Sequence, residues 1–114
     1  MKSEKYNIST NNGIKTITGY TYSLGGFRIG FSKEYEPGKK GRCWYTTELT
    51  TGYRLDRRTN QTMDAAIEEV RAFIASGRLA SVLAVVLKDF EPKDVNPGLD
   101  PYYTVWTVKP AMSA

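Results

Sequence analysis

The chain has no histidine and only one cysteine among its 114 residues. Without histidine, Ser-His-Asp and Cys-His catalytic centres, histidine acid–base catalysis and nearly all zinc sites are excluded. The single cysteine, Cys43, cannot form an intramolecular disulfide, which favours a reducing compartment, and it excludes CxxC redox chemistry. We therefore predict no catalytic residues, no metal ligands and no cofactor, and we expect that the protein is not an enzyme.

Long hydrophobic runs are also lacking. No apolar run reaches the roughly 18 to 20 residues that a membrane-spanning helix needs, and the first ten residues, MKSEKYNIST, are polar rather than like a signal peptide. We expect no membrane partner and a cytoplasmic location. The hydrophobic content of 40% and charged content of 25% are typical of a globular protein. This length predicts one domain, residues 1–114, with short frayed termini.

Positive charge is concentrated in the first half of the chain. Residues 1–58 hold 11 Lys and Arg against 5 Asp and Glu, a net charge of +6, whereas residues 59–114 hold 5 against 7, a net charge of −2. A basic half is compatible with an anionic partner, but a small globular protein also carries net charge for solubility alone, and we prefer that interpretation.

The first half of the sequence predicts strands joined by hairpins. β-Branched and aromatic residues are interrupted by the turn signals NNG and LGG. In the segment GFRIGF, the apolar residues Phe27, Ile29 and Phe31 alternate with Arg28 and Gly30, so they share one face of a strand.

One helix is predicted at about residues 62–76. Thr62 is a suitable N-cap and Gly77 follows the last turn. An apolar stripe with helical spacing predicts that this helix packs on the sheet. Its members are Met63, Ala66, Ile67, Val70, Phe73 and Ile74.

The next segment, RLASVLAVVLKDF, fits two structures. Its spacing matches a second helix at about 79–89, but no capping residue stands between Gly77 and Leu79. The β-branched residues Val82, Val85 and Val86 favour a strand at about 82–88, which we prefer, keeping the helix as the alternative. The acidic, proline-rich segment after it is interpreted as a solvated loop, and YYTVWTVK as a last strand. The predicted fold is α+β: an antiparallel sheet of about six strands, with one main helix on a face.

The stretch GKKGRCWYTTELTTGYRLDRR, residues 38–58, combines six Lys and Arg with Trp44, Tyr45 and Tyr53. We predict a hairpin whose three-residue loop is Thr50, Thr51 and Gly52, which places Glu48 opposite Arg54. Its core face then holds Cys43, Tyr45, Leu49, Tyr53 and Leu55. Its other face holds Arg42, Trp44, Thr46, Glu48, Arg54, Asp56 and Arg58.

Two hypotheses about function follow from this surface. Tyr, Trp and Arg dominate the energetics of protein interfaces, and the chain has ten Tyr and Trp. The preferred hypothesis is a non-catalytic protein-binding adaptor or inhibitor, of the kind that phages and mobile elements encode; a homodimer through an edge strand is a further expectation. The alternative is a nucleic-acid-binding protein that uses the same basic and aromatic face. The candidate partner-binding residues are Lys39, Lys40, Arg42, Trp44, Arg54 and Arg58.

Overall fold

The computed structural model describes residues 3–35, 42–55, 62–89, 94–101 and 103–105. These residues have an α+β fold, which confirms the predicted class. Five strands come first, followed by two helices and a short last strand. In chain order these elements are β1 (Glu4–Thr10), β2 (Gly13–Leu24), β3 (Phe27–Tyr35), β4 (Arg42–Glu48), β5 (Tyr53–Arg54), α1 (Met63–Ala75), α2 (Arg78–Asp89) and β6 (Tyr103–Val105).

The first five strands form an antiparallel meander in sequence order. The β1–β2 turn ends at Gly13, with φ 106°, and the β2–β3 turn consists of Gly25 and Gly26, with φ 54° and 88°. Glycine adopts these positive φ angles without a steric penalty, so the NNG and LGG signals predicted the first two hairpins correctly.

Strand β6 pairs in parallel with β2, through Tyr22 to Leu24. This parallel pair was not predicted from the sequence. A parallel connection needs a long crossover, and here the chain passes through both helices before it returns to β2.

The main hydrophobic core lies between one face of the sheet and the two helices. The alternation in GFRIGF is confirmed, because Ile29 and Phe31 are fully buried on this face. Burying side chains of this size stabilises a fold by about 1.5–3 kcal/mol each. The buried members of the cluster are Tyr22, Leu24, Ile29, Phe31, Ala66, Val70 and Leu79.

Helix α1 begins and ends close to where the sequence predicts. Thr62 Oγ1 accepts a hydrogen bond of 3.1 Å from the Ala65 N–H, which satisfies one of the N–H groups that a helix start leaves unpaired. Gly77, with φ 80°, follows the helix and turns the chain. Every residue of the predicted apolar stripe belongs to the core or packs against it.

The preferred strand at 82–88 is wrong: these residues lie in helix α2, as the alternative proposed. The N-cap is Gly77 itself, whose carbonyl accepts the first backbone bond of the helix, from the Ser81 N–H at 3.1 Å. Ser76 Oγ, one residue earlier, accepts a further hydrogen bond of 3.2 Å from the Arg78 N–H. In this helix Val82 and Val85 face solvent, so they do not belong to an interior strand as their β-branching had favoured.

The sheet curls until β1 meets the turn that follows β4. The Ser9 N–H donates to the Gly52 carbonyl at 2.9 Å, and Ser9 Oγ donates to the Thr51 carbonyl at 2.7 Å. Inside the curl, Tyr6 packs so closely on Gly30 that a Cβ there would lie 2.6 Å from the tyrosine Cζ. Both faces of the central strands are therefore covered, one by the helices and the other by β1.

Candidate functional site

The hairpin of β4 and β5 has a different register from the predicted one. Thr47 pairs with Arg54 and Glu48 with Tyr53, so the loop has four residues rather than three. Leu49, expected opposite Tyr53, lies in the turn and is fully buried. Cys43 and Tyr45 are buried as predicted, but Tyr53, expected in the core, is 44% exposed.

Glu48 sets this register. Its side chain does not face Arg54; the residue is only 2% exposed, and its carboxylate binds the turn. Oε2 accepts from the Thr50 N–H at 3.0 Å, and Oε1 accepts from the Thr51 N–H at 2.8 Å and from Thr51 Oγ1 at 2.9 Å. A buried carboxylate is stable when such donors satisfy it, and the four-residue turn supplies them.

Trp44 lies on the face of the sheet that the helices cover. It pairs with Lys33 across β3 and β4 and is half-buried against the core cluster. Its ring centroid is 6.1 Å from that of Tyr20, and Lys33 Nζ lies 5.8 Å from it. The tryptophan therefore packs within the fold rather than on an open sheet surface.

Arg54 lies on the opposite face from Trp44, because its partner Thr47 alternates with Trp44 along β4. Its guanidinium carbon lies 3.9 Å from the Tyr45 ring centroid, a cation–π contact. The predicted register required Arg54 and Trp44 to share one face of the sheet, whereas the structure places them on opposite faces.

The remaining candidate residues are Arg42, Lys39, Lys40 and Arg58. Arg42 is the first residue of β4, and nothing is described of its side chain. Lys39, Lys40 and Arg58 lie outside the described residues. Whether these basic residues bind a partner stays a prediction.

A groove opens between α1, the start of α2 and the β4–β5 hairpin, with a volume of about 270 Å³. Its floor is mainly apolar: Val70 is buried, and Leu55 and Phe73 are half-buried against the core, beside the buried Thr46. Exposed Ala72 and Arg78 border its mouth, together with half-buried Glu69. The groove combines an apolar floor with a polar rim.

Helix α2 carries a second apolar surface. Val82 is 48% exposed and Val85 59% exposed. Residues 79–87, LASVLAVVL, contain no charged residue. Leu79 faces the core while the two valines remain in solvent.

A polar cluster, missed by the sequence analysis, fixes residues 94–99 to the sheet. Its centre is Asn96, which is 5% exposed. The side chain pairs with both backbone groups of Asn7: Oδ1 accepts from the N–H at 2.6 Å and Nδ2 donates to the carbonyl at 3.0 Å. Nδ2 also donates to the Leu49 carbonyl at 2.7 Å. Asn96 therefore covers the outer edge of β1 as a neighbouring strand would.

Arg28 holds the same segment from the sheet side. Nη1 donates to the carbonyls of Asn96 and Leu99, each at 2.9 Å. Nη2 donates to Thr50 Oγ1 at 3.0 Å and to both carboxylate oxygens of Asp94 at 2.8 Å. Asp94, interpreted as part of a solvated loop, is instead an ion-pair partner. The signal in the sequence was an Asp and an Asn two positions apart before Pro-Gly, but nothing local identified Arg28 or Asn7 as their partners.

Among the residues that the structure describes, no group of three or more His, Cys, Asp or Glu lies close enough to hold a metal ion. Neither described helix is long and apolar enough to cross a membrane.

Comparison with known proteins gives no relative: no family model, no curated protein and no solved structure matches the chain.

Proposed function

We propose that this protein is a non-catalytic binding protein that acts on a protein partner, as an adaptor or an inhibitor. The observation that carries the proposal is the groove between α1, the start of α2 and the β4–β5 hairpin. It is concave, apolar at its floor and open to solvent through Ala72. Clusters of apolar residues that close over one anchor side chain provide much of the affinity in protein interfaces.

The volume of the groove is about 270 Å³, close to the roughly 300 Å³ at the lower end of small-molecule pockets. One large apolar side chain, presented by a partner's helix or loop, suits this volume and this floor.

The rim of the groove carries one exposed cation, Arg78, and half-buried Glu69. We therefore infer a partner surface that inserts one large apolar side chain and places a carboxylate beside Arg78.

The nucleic-acid alternative has less support. It requires Trp44 to stack on bases beside the arginines of one open face. Trp44 packs against the core under the helices, and Arg54 lies on the other face of the sheet.

The partner can be sought by site-specific photo-crosslinking in the source cell. A photo-reactive residue at Ala72, in the groove, should cross-link one protein. The same residue at Thr18, which is exposed on β2, should not. Thr18 serves as the matched control because both positions are exposed and neither side chain belongs to the core.

The identified protein is then purified and titrated. Ala72→Glu should weaken its binding at least about tenfold, because a carboxylate would be buried in an apolar contact. Thr18→Glu should leave the affinity unchanged. If circular dichroism shows that both chains are folded, an equal affinity of Ala72→Glu and the parent chain for this protein would contradict the proposal.

A further inference from the structure

Helix α2 has an exposed flank whose residues repeat with helical spacing. Arg78, Val82 and Val85 are separated by four and three residues, so they lie along one stripe. The last residue of the helix, position 89, continues the same spacing and is an aspartate in the sequence. From position 78 to position 89 the separation is eleven residues, about three turns of 3.6 residues.

This stripe is symmetric about its own midpoint. Positions 82 and 85 and positions 78 and 89 are both centred between Leu83 and Ala84. If two copies of α2 lie antiparallel across a two-fold axis at that midpoint, Val82 of each copy faces the partner's Val85. The arginine that begins each helix then comes beside the aspartate position that ends the other.

Such a stripe is complementary to itself in its apolar centre and in the sequence charges of its two end positions. The two valines form the centre, and the antiparallel orientation brings an arginine position beside an aspartate position at each end, which favours that orientation. A parallel arrangement would place arginine beside arginine. The exposure of Val82 and Val85, 48% and 59%, leaves this area available for burial.

We propose that the protein forms a two-fold symmetric homodimer through antiparallel pairing of α2, with a second copy of this chain as the occupant of the valine stripe. This proposal shares Arg78 with the groove described above, but the two valines at its centre do not line that groove, so the variants that test it change only Val82 and Val85. A single pair of helices buries less area than a standard protein interface, so the dimer is weak and its population depends on concentration.

Sedimentation equilibrium over about 1 µM to about 1 mM measures the dimer. Val82→Lys and Val85→Glu each place one charge against a valine of the partner and should raise the dissociation constant at least about tenfold. Ala80→Glu is the control: Ala80 is exposed on α2 but lies off the stripe, so it should leave the dissociation constant unchanged.

Charge pairing between different chains tests the register. In the antiparallel dimer, Val82→Lys of one chain faces Val85→Glu of the other, so a mixture of the two variants should associate more tightly than either alone. The double variant, with both changes in one chain, should dimerise again because two such pairs form. All variants are checked for folding by circular dichroism, and because both valines are exposed we expect native spectra.

Three results would overturn the proposal. A chain that remains monomeric at every concentration has no dimer. Association that neither single variant weakens uses another surface. Association that both single variants weaken, but that neither the mixture nor the double variant restores, does not have the antiparallel register.

Discussion

Residues 94–99 and helix α2 both follow the antiparallel meander in the chain, yet they attach to it by different chemistry. The loop has its polar groups engaged: Asn96 binds β1 and the β4–β5 turn, and Arg28 binds Asp94 and two backbone carbonyls. Helix α2 inserts Leu79 into the core and leaves Val82 and Val85 in solvent.

This difference suggests separate roles for the two regions: the polar cluster stabilises the fold, and the helical layer recognises a partner. The polar cluster around Asn96 and Arg28 uses its hydrogen bonds within the chain, which makes it a structural device. The helical layer instead keeps apolar surface outside, in the groove and on α2, where burial on association is favourable. We therefore expect substitutions in the polar cluster to lower the free energy of unfolding, and substitutions on the helical layer to affect association.

The largest effect is expected for Asn96→Ala. It removes three hydrogen bonds and leaves the backbone N–H and carbonyl of Asn7 and the carbonyl of Leu49 without that partner. A buried polar group left unsatisfied costs about 1–3 kcal/mol, and we expect the free energy of unfolding to fall by about 3 kcal/mol in total. Urea denaturation measures it.

The control for that experiment is Ser81→Ala, an exposed polar residue on α2. It should change the free energy of unfolding by less than about 0.5 kcal/mol. Equal stabilities of Asn96→Ala and Ser81→Ala would show that the loop is not held as described.

A smaller loss is expected for Arg28→Lys. The guanidinium reaches acceptors on the loop, on Thr50 and on Asp94 at once, and a lysine ammonium cannot span this set although it keeps the charge. We expect a loss of about 2 kcal/mol by urea denaturation. A lysine variant as stable as the parent would mean that charge alone, rather than the planar fork, holds the segment.

Glu48→Gln should cost less again, about 1 kcal/mol. The glutamine keeps one oxygen that can accept a hydrogen bond from the turn. Its NH₂ group, however, replaces the other oxygen and faces a backbone N–H that donates to the carboxylate in the parent chain, so two donors meet. The same denaturation experiment gives the value. An unchanged stability would argue against this carboxylate as the group that sets the β4–β5 register.

The smallest effect on stability is expected for Val85→Thr. The side chain is mostly in solvent, so at concentrations where the chain is monomeric the free energy of unfolding should change by less than about 0.5 kcal/mol. Thermal unfolding at low concentration checks this. A loss above 1 kcal/mol would place Val85 in the core and remove the contrast with the polar cluster.

Sequence patterns predicted the elements whose causes are local. Alternation in GFRIGF located β3, and Thr62 with the stripe from Met63 located α1, because each depends on residues within one or two turns or strands. Helix α2 was misassigned because a capping side chain was expected after Gly77, whereas Gly77 is itself the N-cap and Ser76, before it, accepts a hydrogen bond from the Arg78 N–H.

The contacts that were missed are non-local. Asn96 binds Asn7, which lies 89 positions away in the chain, and no local pattern specifies that pair. The error in the β4–β5 register also has a specific cause: Glu48 was treated as a surface charge, whereas its burial under the turn selects a four-residue loop. The predicted patch around Trp44 depended on that register.

Amide chemical-shift mapping of the chain, titrated with the protein that cross-links at Ala72, tests most directly whether the helical layer is the recognition surface. We predict that the largest shifts fall on the groove, at Leu55, Ala72, Phe73 and Arg78, while Asn7 and Asn96 stay unchanged. Shifts confined to β1 and residues 94–99, with the groove unaffected, would contradict the account.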